Sequence, residues 1–149
     1  MSKLLITGIP GTGKTTIGNY LAEHYEFNHH DFEEHFNNPT GLEKFIQNSS
    51  LNKVITWGFV PGGHDTVINS IQDLGYIMIW FDGNRVAARK AFMARGTVPE
   101  ILLDLQMERI VKMDLQKFNP IQFNTFDCDG NFLNVDFICT EIFKLIADK

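Results

Sequence analysis

Between residues 8 and 15 the chain reads Gly8-Ile9-Pro10-Gly11-Thr12-Gly13-Lys14-Thr15. The apolar run Lys3-Leu4-Leu5-Ile6-Thr7 leads into it, and residues 14 to 25 follow with Ile17, Leu21 and Tyr25 on one helical face. A G-x-x-x-x-G-K-S/T pattern between a strand and a helix is suited to holding phosphate. Gly8, Gly11 and Gly13 allow backbone angles and close approaches that a Cβ would block. Successive N–H groups can then turn inward around an anion. The helix that follows adds its positive end and its unpaired N–H donors. Lys14 can reach terminal phosphates as a mobile point charge, and the Thr15 hydroxyl can serve Mg²⁺. Pro10, Thr12 and Thr16 complete the expected phosphate-binding segment. The competing reading is a glycine-rich turn with a surface lysine, which requires strand, motif and helix to coincide by chance.

Strands and helices alternate along the rest of the chain. The pattern predicts a strand over 25–29 and a helix over 40–48, where Thr40 and Glu43 form a capping box. A strand over 53–57 and a helix over 64–74, with Val67, Ile71 and Leu74 aligned, come next. Residues 76–81 are apolar without alternation, which suits a strand covered on both faces. Helices are expected over 84–95 and 99–118, the second carrying Leu103, Met107, Val111, Leu115 and Phe118. A strand over 121–126 and a helix over 135–147, with Val135, Ile138, Ile142 and Leu145 aligned, end the chain. This order implies an α/β fold with a parallel sheet between two helical layers. Ligands then bind beyond the carboxyl ends of the strands. With no repeat or linker in view, residues 1–149 are expected to form a single domain.

At 149 residues and 44% hydrophobic, the chain can bury a core. Thirteen basic against 18 acidic residues leave a net charge of −5, which speaks against a nucleic-acid partner. No apolar run nears the roughly 20 residues of a membrane span. The opening residues reach Gly8 too soon for a signal peptide, so a cytoplasmic location is expected. Cys128 and Cys139 lack metal-ligand spacing and are expected as buried thiols. Of the 13 phenylalanines, Phe118, Phe137 and Phe143 suit core or helix packing. Phe27, Phe32, Phe36 and Phe59 are expected around a ligand pocket.

The run from Ile6 to Thr16 resembles the opening of the small P-loop kinases related to adenylate, shikimate and gluconate kinases. Length and element order are similar across nearly the whole chain, while motifs beyond residue 35 are less specific. The resemblance implies a three-layer P-loop NTPase fold with a five-stranded parallel sheet in the order 2-3-1-4-5. It also implies ATP, Mg²⁺ and phosphoryl transfer to a small molecule. Asp31, at the end of Phe27-Asn28-His29-His30-Asp31, matches an aspartate that binds the acceptor or positions the Mg²⁺ shell. A carboxylate beside the loop can take a hydroxyl proton or hold metal water, or it can simply cap a following helix with Glu34. His29 stands where relatives often have another aspartate, a departure from a gluconate- or shikimate-type pocket. His29, His30 and His35 with Asp31 and Glu34 also admit a zinc-site reading, against a polar face or substrate pocket.

Thr56-Trp57-Gly58-Phe59 is similar to the Asp-Gly-Phe-Pro-Arg of adenylate kinases, but Trp57 replaces the acid and no arginine follows. That speaks against a nucleoside monophosphate acceptor and shifts metal support to Thr15 and Asp31. Gly58, Phe59, Gly62 and Gly63 are the candidate acceptor-binding residues, unless they form only a tight turn. Ala88-Arg89-Lys90 looks like the setting of an arginine laid over the transferring phosphoryl group. Arg85 shares its helix face, and Arg95 opens a short lid near 95–99 with Gly96 as hinge. All three also read as solvated helix arginines.

The catalytic candidates are therefore Lys14, Asp31 and Arg89, with Arg85 and Arg95 on phosphate and Thr15 and Asp31 on Mg²⁺. The leading expectation is an ATP-dependent kinase for a small hydroxyl or phosphate acceptor, monomeric or homodimeric. The rivals are a nucleotide-binding switch or scaffold that transfers nothing, and a kinase of nucleoside monophosphates or nucleic-acid ends.

Overall fold

The apolar runs form one sheet in a computed structural model that describes residues 2–32, 44, 45, 47, 52–58 and 65–149. The elements are β1 (Lys3–Gly8), α1 (Lys14–His24), β2 (Phe27–Asp31), β3 (Asn52–Thr56), α2 (Asp65–Asp73) and β4 (Ile77–Asp82). They continue with α3 (Arg85–Ala94), α4 (Glu100–Lys112), a 3₁₀ turn (Leu115–Phe118), β5 (Ile121–Asn124) and α5 (Val135–Ala147). The strand order is β2-β3-β1-β4-β5, with every pair parallel. This is the 2-3-1-4-5 sheet that the resemblance implies. The helix expected over 40–48 lies almost wholly outside the described residues. No described helix is long and apolar enough to cross a membrane.

Alternation along the strands sends side chains into two cores. Leu4, Ile6, Val54 and Phe81 meet Ile17 and Leu21 of α1 and Ile138 and Ile142 of α5. On the other face Leu5, Ile55, Met78 and Trp80 meet Ile68 and Ile71 of α2, Ala88 of α3 and Ile110 of α4. Burying β4 on both sides explains its unbroken apolar run.

Several expectations need correction. The helix read over 99–118 stops at Lys112, and Phe118 reaches the core from the 3₁₀ turn instead. A four-residue step advances about 40° round a helix beyond a full turn. The stripe Leu103-Met107-Val111 therefore drifts, leaving Val111 exposed while Ile110 is buried. In α2 the buried pair is Ile68 and Ile71, and Val67 and Leu74 are exposed. Phe137 faces outward, one position before the buried pair Ile138 and Cys139. Phe27 belongs to the α1/α5 core, stacked near Phe143, rather than to a ligand pocket. Phe32 is likewise core, stacked on Trp57 with ring centroids 4.2 Å apart. Phe36 and Phe59 lie outside the described residues. Lys53 of β3 is fully buried with its ammonium over the Phe45 ring.

The contact between α1 and β2 is unusually close. A Cβ on Gly18 would lie 2.5 Å from Nε2 of His29. The imidazole fills the space a side chain would need, and it is held at both nitrogens. Nδ1 is 2.9 Å from Asn19 Oδ1, and Nε2 is 2.7 Å from Thr56 Oγ1. Gly18→Ala gains about 1 kcal/mol of helix propensity but forces this ring to move, at about 1–3 kcal/mol. Urea unfolding should therefore show a net loss for Gly18→Ala alone. The same change in a His29→Ala background should be neutral or stabilising.

The two cysteines also differ. Cys139 is fully buried, and burial pushes its thiol up to about 12, whereas Cys128 is exposed. At pH 8 a thiol of that acidity is ionised to roughly one part in ten thousand. A thiol reagent should label one cysteine per folded chain at pH 8 and two after unfolding. Rapid labelling of Cys139 in the folded protein would contradict this arrangement.

Candidate phosphate-binding cleft

The turn after β1 is fixed from both sides. Ile9 N–H donates to Phe81 O of β4 at 2.9 Å, and Thr12 Oγ1 donates to Ile9 O at 2.6 Å. Gly11 and Gly13 both have φ of 84°, where a side chain is strained. They are also hemmed in: a Cβ would lie 2.0 Å from Ala88 O at Gly11 and 2.4 Å from the Phe132 ring at Gly13. Gly13 is the N-terminal cap of α1, so the helix begins directly from the turn. The first N–H groups of α1 and the loop amides are thus gathered at one place, which suits an anion. The run of loop and helix N–H donors beside Lys14 suits a polyphosphate, and the glycines are required by their positive φ and by the neighbours a Cβ would strike.

Gly8 ends β1, Pro10 and Gly11 line the cleft, and Thr12 is buried in the loop. Lys14 Nζ lies back over the turn, donating to Ile9 O at 3.0 Å and to Gly8 O at 3.4 Å. Thr15 and Thr16 are exposed at the first turn of α1. Thr15 Oγ1 donates to Asp31 Oδ2 at 3.4 Å, joining the residues expected to serve Mg²⁺. A hydroxyl and a carboxylate form a hard oxygen set, the kind Mg²⁺ takes in small number beside phosphate. Of the residues in the zinc reading, Glu34 and His35 lie outside the described residues, and no cluster of three or more His, Cys, Asp or Glu is present among the described ones.

The cleft over the loop holds about 230 Å³. Its floor is Pro10, Gly11, Lys14, Thr15 and Asp31, and one wall is Thr56, Trp57 and Gly58 at the end of β3. The opposite wall comes from α3 and the segment after it: Phe92, Arg95, Thr97 and Val98. Leu102 and Gln106 of α4 complete it. Phe59, Gly62 and Gly63 lie outside the described residues. Sequence reasoning missed Thr56, Phe92, Leu102 and Gln106, and had Thr97 and Val98 only as part of the lid near 95–99. Phe92 and Arg95 are three apart, and Leu102 and Gln106 four apart, so each pair shares a helix face. That spacing could not tell which face meets the loop.

The three arginines separate by their partners. Arg85 is paired with Asp82, with Nη2 3.1 Å from Oδ2 and Nε 3.2 Å from Oδ1. Arg89 Nη2 is 2.7 Å from both Glu100 and Asp104, and these acids raise its already high pKa. Both arginines line an adjoining apolar groove with Val86, Leu103 and Met107, which also borders Ile9 and Pro10 of the loop. Arg95 lines the cleft itself, its guanidinium 5.9 Å from the Phe92 ring, with no acidic partner among the described residues. Asp31 and Lys14 thus share the cleft with Arg95 but not with Arg85 or Arg89.

No family model and no curated protein matches the sequence. Solved structures do match the fold. A shikimate kinase from Bacteroides thetaiotaomicron is 13% identical, with a TM-score of 0.62 and 98% of both chains covered. A gluconokinase from Sinorhizobium meliloti 1021 is 10% identical, with a TM-score of 0.55, covering 83% of this chain and 82% of its own. An uncharacterized protein from Eubacterium ventriosum is 16% identical over the whole of both chains, with a TM-score of 0.58. The chain therefore has the fold of small P-loop kinases.

The pairing of charges can be tested with tripolyphosphate, which probes the loop without a base. Arg95→Ala should weaken its binding roughly tenfold by calorimetry, the worth of one charge-assisted hydrogen bond. Arg89→Ala should leave it within about twofold, because its charge is already matched. The reverse ranking would show that the Arg89 ion pairs open on binding.

Proposed function

We propose that this protein is an ATP-dependent phosphotransferase acting on a small-molecule acceptor. The observation that carries the reading is the convergence of Lys14, the Thr15–Asp31 pair and Arg95 on one cleft. In this reading the loop amides and Lys14 bind the triphosphate. Lys14 leaves the carbonyls of Gly8 and Ile9 for the terminal phosphate oxygens, a stronger partner because it is charged. Thr15 and Asp31 hold Mg²⁺, which supplies charge neutralisation on phosphate when bound. Asp31 also faces the acceptor side, where it can orient a hydroxyl and take its proton. We assign to Arg95, rather than Arg89, the role of meeting charge on the transferred group. The walls of Trp57, Phe92, Val98 and Leu102 favour an acceptor with an apolar or flat surface and exclude water around it. Catalysis is then mostly positioning and electrostatics.

A second reading, a nucleotide-binding scaffold without transfer, draws on Trp57. It stands where a third-strand carboxylate would be and is buried against Phe32. A panel of sugars, small acids, nucleosides and nucleotides, scored by acceptor-dependent ADP release, separates the two. The kinase reading expects release with at least one acceptor, and ATP binding without any transfer supports the scaffold. With an active acceptor in hand, Lys14→Ala should lower turnover by roughly a thousandfold while circular dichroism stays unchanged. Near-normal turnover in that variant would sink the mechanism.

A further inference from the structure

The α1 face of the sheet edge carries a polar ladder of which the reading above uses only one rung. Residues four apart on α1, Thr15 and Asn19, face residues two apart on β2, Asp31 and His29. The upper rung is Thr15–Asp31, and the lower is Asn19–His29. Thr56 lies opposite Asp31 in the β2–β3 register, and its hydroxyl meets His29 Nε2 at 2.7 Å. Thr56 is only 1% exposed, yet it lines the cleft. Gly18 is what lets the imidazole lie between helix and strand.

We propose that Thr56 is a metal-positioning residue and that His29 sets the direction of its hydroxyl. The proposal rests on the reading of the cleft as a Mg²⁺–nucleotide site. Its logic is one of donors and acceptors. Asn19 presents its carbonyl oxygen to Nδ1, so Nδ1 carries the hydrogen. In a neutral imidazole Nε2 is then an acceptor. The Thr56 hydroxyl donates to it, and its hydrogen is committed away from the cleft. What Thr56 can offer the ligand is its oxygen lone pairs. An oxygen of this kind, beside Asp31, is suited to accept from a water bound to Mg²⁺. The residue after Thr56 is Trp57, where adenylate kinases carry an acid. A hydroxyl turned into an obligate acceptor supplies the hydrogen-bond part of that acid's work without a second charge. Partners of this sort typically change metal affinity ten- to hundredfold when removed.

The test compares calorimetric binding of a β,γ-imido analogue of ATP in excess Mg²⁺ and in EDTA. Thr56→Val keeps the shape and removes the acceptor. It should weaken binding about tenfold or more in Mg²⁺ and leave binding in EDTA unchanged. Thr56→Ser should restore the Mg²⁺-dependent gain. His29→Phe keeps a ring over Gly18 and should cost a similar Mg²⁺-dependent factor. The double variant should cost no more than the worse single, because both changes remove one interaction. Thermal melts accompany each variant, so that a folding defect shows as loss in both Mg²⁺ and EDTA. Wild-type-like Mg²⁺ binding by Thr56→Val, equal loss in both conditions, or additive effects would overturn the proposal. Wild-type protein that gains nothing from Mg²⁺ would overturn the underlying reading as well, which distinguishes the two failures.

Discussion

Gly11 leaves no space for a side chain, and much of the cleft follows from that one constraint. A Cβ there would collide with the Ala88 carbonyl, so the loop lies directly on the backbone of α3. The loop is also tied to β4 through the Ile9–Phe81 hydrogen bond. Together these contacts aim the start of α1 at the carboxyl edge of the sheet, where β2 and β3 also end. α3 reaches from this contact toward Arg95, and α4 returns across the cleft with Leu102 and Gln106. Anion-binding amides, an acid and an arginine then face each other because the loop and α3 are packed too tightly to separate.

Charge shows how composition and structure answer different questions. The chain carries −5 overall, yet the cleft holds Lys14 and Arg95. Acidic residues elsewhere neutralise two of the other helix arginines, Asp82 on Arg85 and Glu100 with Asp104 on Arg89. A partnered exposed arginine contributes little to binding an anion, because the anion must first displace the partner. The arginine whose local sequence best resembled a kinase setting is paired with two acids and lines a groove beside Ile9 and Pro10, whereas Arg95 lines the cleft that holds Lys14 and Asp31.

Two residues at which the sequence differs from the kinase motifs it resembles, His29 and Trp57, lie on opposite faces of the sheet. His29, in place of an acid, lies over Gly18 and holds Thr56. Trp57, in place of another acid, stacks on Phe32 and joins the core of the α2–α4 face. Alternation explains the division: Thr56 and Trp57 are neighbours in sequence and point to opposite faces of the sheet. Trp57 is committed to packing, and its neighbour Thr56 keeps a polar group at the cleft.

The phosphate loop, with Lys14 and Thr15 in it, was legible in the sequence, while the strand order and the place of Asp31 came through the resemblance to small P-loop kinases. Local spacing carries the former, since a glycine pattern between strand and helix has few other uses. Burial on helix faces was legible only to within one position, as Val111 against Ile110 and Val67 against Ile68 illustrate. The choice among three arginines, the closeness of α1 to β2 and the Thr56–His29 bond belonged to the tertiary structure. Each depends on which residues from distant segments share a few ångströms, and on how a side chain's charge or proton is matched there. Spacing along a chain records which side chains share a face. Only packing decides what that face meets.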